Sequence, residues 1–211
     1  YQLTGALLFV GLLLALAALG WRLGGPNARG VAIASTAALG PDPVRARSAR
    51  ARGAELGRRI PVAPDEQERF WREHLKESAG GLVCHRWNDQ SASIASGSFR
   101  TRAMLILPCS MGTVGRIRAG VAMDLIERCA DVHLKEGRPL VIAPREMPFN
   151  LIHLRNLTAL AEAGARIAAP IPAWYTRPES LDDMVDFLVI RLLDGLEEDL
   201  GPLDRWQGPV A

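Results

Sequence analysis

Two neighbouring charges set between prolines, Arg145 and Glu146 in Pro144-Arg145-Glu146-Met147-Pro148, are the clearest chemistry in the sequence. They follow a short apolar run, residues 140–143 (LVIA), and precede a stretch where Leu151, Leu154, Leu157 and Leu160 recur every third residue. The apolar run reads as a fully buried parallel strand, and the leucine spacing is close enough to helical to line one face. A strand delivering an Arg–Glu pair into a turn before a helix sets both charges at the carboxyl edge of a sheet, where open α/β sheets bind ligands. There a guanidinium can hold an anion and a carboxylate can move a proton. The competing reading is a surface ion pair that caps the following helix.

A second constellation lies one strand earlier. Residues 103–107 (AMLIL) read as a strand, followed by Pro108-Cys109-Ser110-Met111-Gly112-Thr113 and a helix expected to run through about Ala130. Strand, small-residue turn and helix start make an anion cradle, because free backbone N–H groups and the positive helix end meet there, with Ser and Thr hydroxyls beside them. Many helices use Ser or Thr at the N-cap without any ligand, so the pattern draws its weight from its place beside the Arg–Glu turn. Cys109 reads as a small packing residue, since nothing near it in sequence offers a base. Residues 131–140 (DVHLKEGRPL) lead into the next strand; Lys135 is the cation of interest, with Glu136 and Arg138 as solvated neighbours.

The remaining elements must position these groups. Residues 31–35 (VAIAS) read as a strand, 64–76 as an exposed amphipathic helix and 82–85 as a short strand. The hydroxyl-rich stretch 91–101 (SASIASGSFRT) reads as a flexible loop. Residues 166–169 read as the last strand, broken by the two prolines of Pro170-Ile171-Pro172-Ala173-Trp174-Tyr175. Ser180 caps a final helix, with Asp182 and Asp183 in its first turn. That helix turns Met184, Phe187, Leu188, Leu192 and Leu196 inward and carries Arg191 as a solvent-facing charge. Short apolar strands alternating with amphipathic helices give an α/β fold, a flavodoxin-like (Rossmann-like), doubly wound parallel sheet.

Length and composition bound the rest. At 211 residues and 48% hydrophobic content the chain fits one domain with a sizeable core. A net charge of +2 gives no reason to expect nucleic acid, which calls for a basic stripe. Cys84, Cys109 and Cys129 are odd in number and widely spaced, which fits neither a zinc pattern nor a disulfide framework and points to a reducing cytoplasm. The sequence does not begin with Met, so its natural start is expected upstream. Residues 41–53 form a basic, proline-bounded insertion or linker.

The segment 141–157, VIAPREMPFNLIHLRNL, closely resembles the flavin prenyltransferases of UbiX type, which carry PRE-x-P-x-x-x-x-H-L at this point. The resemblance runs from about Glu55 to Trp206, leaving 1–54 as a divergent N-terminal part and 200–211 as a tail of a single flavoprotein domain. Thr4-Gly5-Ala6 resembles the start of the family's T-G-A-S-G loop, with Leu7 and Leu8 where the family has Ser and Gly; Ser35-Thr36-Ala37-Ala38 resembles its S-K-A-A turn with Thr in place of Lys. Residues 3–21 hold no charge and are long enough to cross a bilayer, but a helix between a sheet and an oligomer partner can also be apolar all round. The buried helix is the expectation, because the sheet needs a first βα unit, and no membrane is then a partner.

The resemblance implies transfer of a dimethylallyl group from dimethylallyl phosphate to N5 and C6 of reduced FMN, without a metal. The product, prenylated FMN, would serve a partner decarboxylase. It implies FMN contacts at Gly5, Ala6, Ser35, Ser110, Met111, Gly112, Thr113 and Arg145. It implies prenyl phosphate contacts at Lys135, Arg145, Tyr175, Arg191 and Ser96, and catalytic roles for Glu146, Glu55, Lys135 and Trp206. These types suit the reaction. Cations hold a departing phosphate, a carboxylate handles the proton lost on ring closure, and an indole face favours an allyl cation. The family forms dodecamers, so a homo-oligomer is expected. Two rivals share the fold: an FMN-dependent decarboxylase of peptidyl or pantothenoyl cysteine, and a degenerate flavin-binding member, the latter motivated by Leu7 and Thr36. The Arg–Glu turn, Lys135 and the Tyr175/Arg191 pair favour prenyl transfer.

Overall fold

A computed structural model of the chain describes residues 31–34, 65, 66, 69 and 83–196. Four parallel strands, β1 (Val31–Ala34), β2 (Ala103–Cys109), β3 (Leu140–Pro144) and β4 (Arg166–Ile167), lie side by side in chain order. Each pair in turn is linked through segments long enough to cross over the sheet, as parallel pairing demands. Every residue of β2 and β3 is buried, which explains their unbroken apolar character.

Alternation along the strands feeds two cores. Met104, Ile106, Leu140 and Ile142 face α1 (Met111–Arg118), α2 (Leu125–Lys135) and α3 (Leu151–Glu162), meeting Val114, Ile117, Ile126, Ala130, Leu157 and Leu160. Ala103, Leu105, Leu107, Val141 and Ala143 face the other way, onto Val185, Leu188, Val189 and Leu192 of α4 (Leu181–Asp194) and onto Leu196 just beyond its end. Helices therefore cover both faces, and the doubly wound arrangement expected from the sequence is present. Each fully buried Leu or Ile contributes about 1.5–3 kcal/mol by leaving water, so these two layers dominate the stability.

Four local expectations change. The helix expected from the Ser110 turn to Ala130 is two helices, because Gly120 takes a left-handed φ of 70° and Asp124 starts α2, its side chain accepting from the Glu127 N–H. Of the short strand expected over 82–85, Leu82 lies outside the described residues and 83–85 form no strand; Val83 is exposed and the segment has no alternating pattern to bury. The last strand is only Arg166–Ile167, extended by one bond from the Ala168 N–H to the Ile142 carbonyl before Pro170 and Pro172 remove further donors. The leucines of α3 do not share a face: each three-residue step falls about 60° short of a full turn. Leu151 and Leu154 are exposed and Leu157 and Leu160 are buried.

The stretch expected as a flexible loop holds a short 3-10 turn, Ser93–Ala95, packed against α2. Arg128 Nε donates to the Ala95 carbonyl at 3.1 Å. Residues 3–21 and 41–53 lie outside the described residues, as does most of 64–76, of which 65, 66 and 69 are helical. Among the described residues no helix is long and apolar enough to cross a membrane.

Candidate functional site

The turn after β2 opens α1. Ser110 has extended backbone at φ −74° and ψ 150° and caps the helix: its Oγ accepts from the Thr113 N–H at 3.2 Å and lies 3.0 Å from the Thr113 hydroxyl. Met111 and Gly112 supply the first amides of the helix, which have no intrahelical carbonyl to bond. Gly112 is exposed, and a Cβ built there would meet nothing nearer than Arg116 Nη1 at 3.4 Å, so the approach to these amides is open. Thr113 departs from expectation. It is completely buried, and its hydroxyl is taken up by Ser110 and by Arg116 Nη2 at 3.3 Å, so it faces a ligand through Ser110 alone.

Sequence reasoning passed over what lies beneath this turn. Arg116 Nε forms a close ion pair with Glu127 Oε1, and Glu127 is only 1% exposed. Glu127 Oε2 accepts from the Met123 N–H at 2.9 Å, which holds the connection between α1 and α2. Asp124-x-x-Glu127 has capping-box spacing, and that signal was available. The spacing alone could not show that the Glu127 carboxylate turns to Arg116 instead of back to its own helix start.

The turn after β3 is stitched to the turn after β2. At Pro108, which has no N–H for the ladder, the register between the strands shifts, and pairing resumes at Cys109 opposite Pro144. One residue on, the Arg145 N–H donates to the Cys109 carbonyl at 2.9 Å. Arg145 and Glu146 are both exposed at the carboxyl edge, and no ion pair joins them. Glu146 Oε1 accepts from the Met147 N–H at 3.1 Å. Nor does Glu146 cap α3, because Asn150 does. Asn150 Oδ1 accepts from the His153 N–H at 2.9 Å, and its own N–H donates to His153 Nδ1 at 3.4 Å. The capping ion pair that competed with a functional reading is thus absent on both counts. Cys109 keeps its thiol inside the core, where burial pushes its pKa up to about 12.

The other expected residues fall into two further groups. Lys135 closes α2 and pairs with Glu136 at 2.9 Å. Ser96, bonded to Ser98 at 2.8 Å, adjoins Gly97, where an added Cβ would meet the Glu136 carboxylate and lie 3.0 Å from Lys135 Nζ. This group sits at the amino-terminal edge, separated from Arg145 by the length of β3, roughly 15 Å at about 3.3 Å per residue. Arg138 is not a solvated neighbour, as expected from sequence. Its side chain is 15% exposed and donates to the carbonyls of Phe99, at 2.9 Å, and Gly97, and to the Thr101 hydroxyl at 3.3 Å. Tyr175 is exposed in a 3-10 turn, Trp174–Thr176, its ring edge-on to Phe187 with centroids 6.3 Å apart. Arg191 follows Phe187 by one helical turn on the same flank of α4 and pairs with Asp194 at 2.9 Å. Gly5, Ala6, Ser35, Glu55 and Trp206 lie outside the described residues.

The model of the family described as Flavoprotein matches residues 51–193. A protein of Synechocystis sp. named flavin prenyltransferase UbiX is 56% identical over 156 residues, 74% of this chain and 76% of its own length. A probable UbiX-like flavin prenyltransferase of Escherichia coli O157:H7 is 52% identical over 126 residues, 59% of this chain and 63% of its own length. The crystal structure of a dodecameric FMN-dependent UbiX-like decarboxylase from the same E. coli strain superposes with a TM-score of 0.70 at 37% identity, covering 93% of this chain and 92% of that one. That of AnUbiX (PadA1) in complex with FMN and dimethylallyl pyrophosphate gives 0.65 at 34% identity, covering 85% and 98%.

Proposed function

The chain belongs to the flavoprotein family, and from that premise we propose that it is a flavin prenyltransferase, joining the dimethylallyl group of dimethylallyl phosphate to N5 and C6 of reduced FMN. The observation that carries the reading is the stitched pair of turns: an open helix start at Ser110–Gly112 and an unpaired Arg145–Glu146 held against it through Cys109. Relatives named flavin prenyltransferase support it, as does the neighbour bound to FMN and dimethylallyl pyrophosphate.

The residues present fit a flavin phosphate. The first amides of α1 and the Ser110 hydroxyl are donors, the helix end is positive, and Gly112 leaves room for close approach. Ser110, Met111 and Gly112 would hold that phosphate with Thr113 behind them, and Gly5, Ala6 and Ser35 would complete the flavin contacts. Arg145, with no carboxylate partner among the described residues, would serve both flavin and prenyl phosphate. Glu146 accepts the proton lost on ring closure or protonates the departing phosphate. Glu55 assists in that proton transfer, and Trp206 offers its ring face to the allyl cation.

Lys135 and Ser96 lie too far from Arg145 to serve the same ligand within one chain. In this reading they, together with Tyr175 and Arg191, hold the prenyl phosphate at a site completed by a second copy, and the dodecameric neighbour supports such assembly. The reaction runs in the cytoplasm, and the product passes to a partner decarboxylase.

Incubation of the purified chain with FMN, dithionite and dimethylallyl phosphate, followed by mass spectrometry of the flavin, tests the proposal. A flavin heavier by one dimethylallyl unit is expected. An unaltered flavin, with or without decarboxylation of a cysteine-ended peptide, overturns it.

A further inference from the structure

We propose that Arg116, held by the buried Glu127 carboxylate, is a positioning residue that aims the Ser110 hydroxyl proton at the phosphate of the bound flavin. The inference rests on the cradle reading above and extends it to the groups bonded behind the Ser110 hydroxyl.

It follows from counting donors and acceptors. Ser110 Oγ and Thr113 Oγ1 are 3.0 Å apart, and by distance alone either could donate. Arg116 breaks that symmetry, because a guanidinium can only donate. With Arg116 Nη2 at 3.3 Å, the Thr113 oxygen is already an acceptor from a cation, which makes its own proton the better donor. The Thr113 O–H then points to Ser110 Oγ, which also accepts the Thr113 N–H at 3.2 Å. Both Ser110 lone pairs are spent inward, and its remaining O–H is left to point out of the turn. Thr113 is completely buried while Ser110 is part-exposed, so the chain of bonds has one open end, and it is the donor end.

Glu127 fixes the arrangement. It is 1% exposed, pairs with Arg116 Nε, and is anchored by the Met123 N–H at 2.9 Å, so the guanidinium is held in one plane with Nη2 toward Thr113. Without Arg116 the two hydroxyls can run either way, and half of the arrangements turn a Ser110 lone pair toward the anion.

The test compares FMN with riboflavin, which lacks only the phosphate, as ligands of the deflavinated full chain. Arg116→Met should weaken FMN binding roughly tenfold, the worth of one charge-assisted bond, and leave riboflavin binding unchanged. Arg116→Lys should recover part of the loss, and in a Ser110→Ala background Arg116→Met should cost nothing further. Arg116→Met/Glu127→Gln guards against a fold upset by an orphaned buried carboxylate, and the same FMN-selective loss is expected of it. Equal losses for both ligands, or additive losses in the Ser110→Ala background, overturn the proposal. If Ser110→Ala itself fails to separate FMN from riboflavin, the cradle reading falls with it. If Ser110→Ala separates them and Arg116→Met does not, only the role of Arg116 falls.

Discussion

The Arg145 N–H donates to the Cys109 carbonyl at 2.9 Å, and this one bond holds the Arg–Glu turn against the turn that opens α1. Two loops that follow different strands are thereby kept in a fixed relation by main chain, whichever side chains they carry. A backbone stitch positions charges without neutralising them, which leaves Arg145 and Glu146 exposed and without each other.

Glu146→Gln is expected to lower prenyl transfer by about 10²–10⁴-fold with FMN still bound, since the substitution removes the proton acceptor and little else. Among the described residues Glu146 makes one bond, to the Met147 N–H at 3.1 Å, and caps no helix, so the melting temperature should hardly move. Turnover and melting measured on one preparation check this. A destabilised but active variant would count against a catalytic Glu146.

Changing Ser110 and Thr113 together to Ala should cost about 1–3 kcal/mol of FMN affinity, through the lost hydroxyl and the lost arrangement behind it. The same change removes the N-cap of α1, worth about 1 kcal/mol of stability. Flavin titration and urea denaturation separate the two losses.

His133 is 1% exposed, with Nδ1 2.8 Å from the Cys129 carbonyl and Nε2 2.9 Å from the Thr101 hydroxyl. Burial pushes its pKa below the ordinary 6.5. The fold therefore favours the neutral ring, and the unfolded chain binds the proton first as pH falls. Stability contributed by His133 is complete above about pH 6.5 and declines as pH drops from there through its lower folded value. Urea midpoints at pH 7.5 and 5.5 should differ in that direction, and His133→Gln should reduce the difference.

Arg138→Ala should cost about 1–3 kcal/mol, because it strips donors from the Phe99 and Gly97 carbonyls and the Thr101 hydroxyl at once. Hydrogen exchange should rise locally over residues 97–101. Lys in its place should restore little, since a point charge cannot reproduce the planar fork.

Met147, Leu151 and Ile152 are 93%, 60% and 67% exposed, a run of apolar surface at the start of α3 that the described residues leave uncovered. Light scattering should report a homo-oligomer, and Ile152→Glu should shift it to smaller species. A monomer at all concentrations would overturn the expectation.

Much of the sheet was legible because β2 and β3 are buried on both faces and so read as continuous apolar runs. The Ser110 turn and the Arg–Glu turn were legible for a related reason, since polar residues stop those runs abruptly. What escaped depended on contacts between distant residues. Arg116 with Glu127, and Arg138 with 97–101, are ordinary surface charges in sequence and become half-buried or buried partners only after folding. The split of one helix at Gly120 escaped because residues on either side are equally compatible with helix, and only the left-handed φ of 70° decides it. The leucine repeat misled by its period: a step of three drifts around the helix, so half of that stripe faces water.

The thiol of Cys109 has a meaning beyond packing. The proposed reaction releases an allyl electrophile next to the turn that Cys109 begins, and a thiolate there would compete with the flavin for it and alkylate the protein. Buried in the core layer beneath α1, α2 and α3, with a pKa of about 12, the sulfur stays protonated and out of reach. Cys109 thus gives the site its carbonyl and withholds its nucleophile, and the enzyme is spared from becoming its own acceptor.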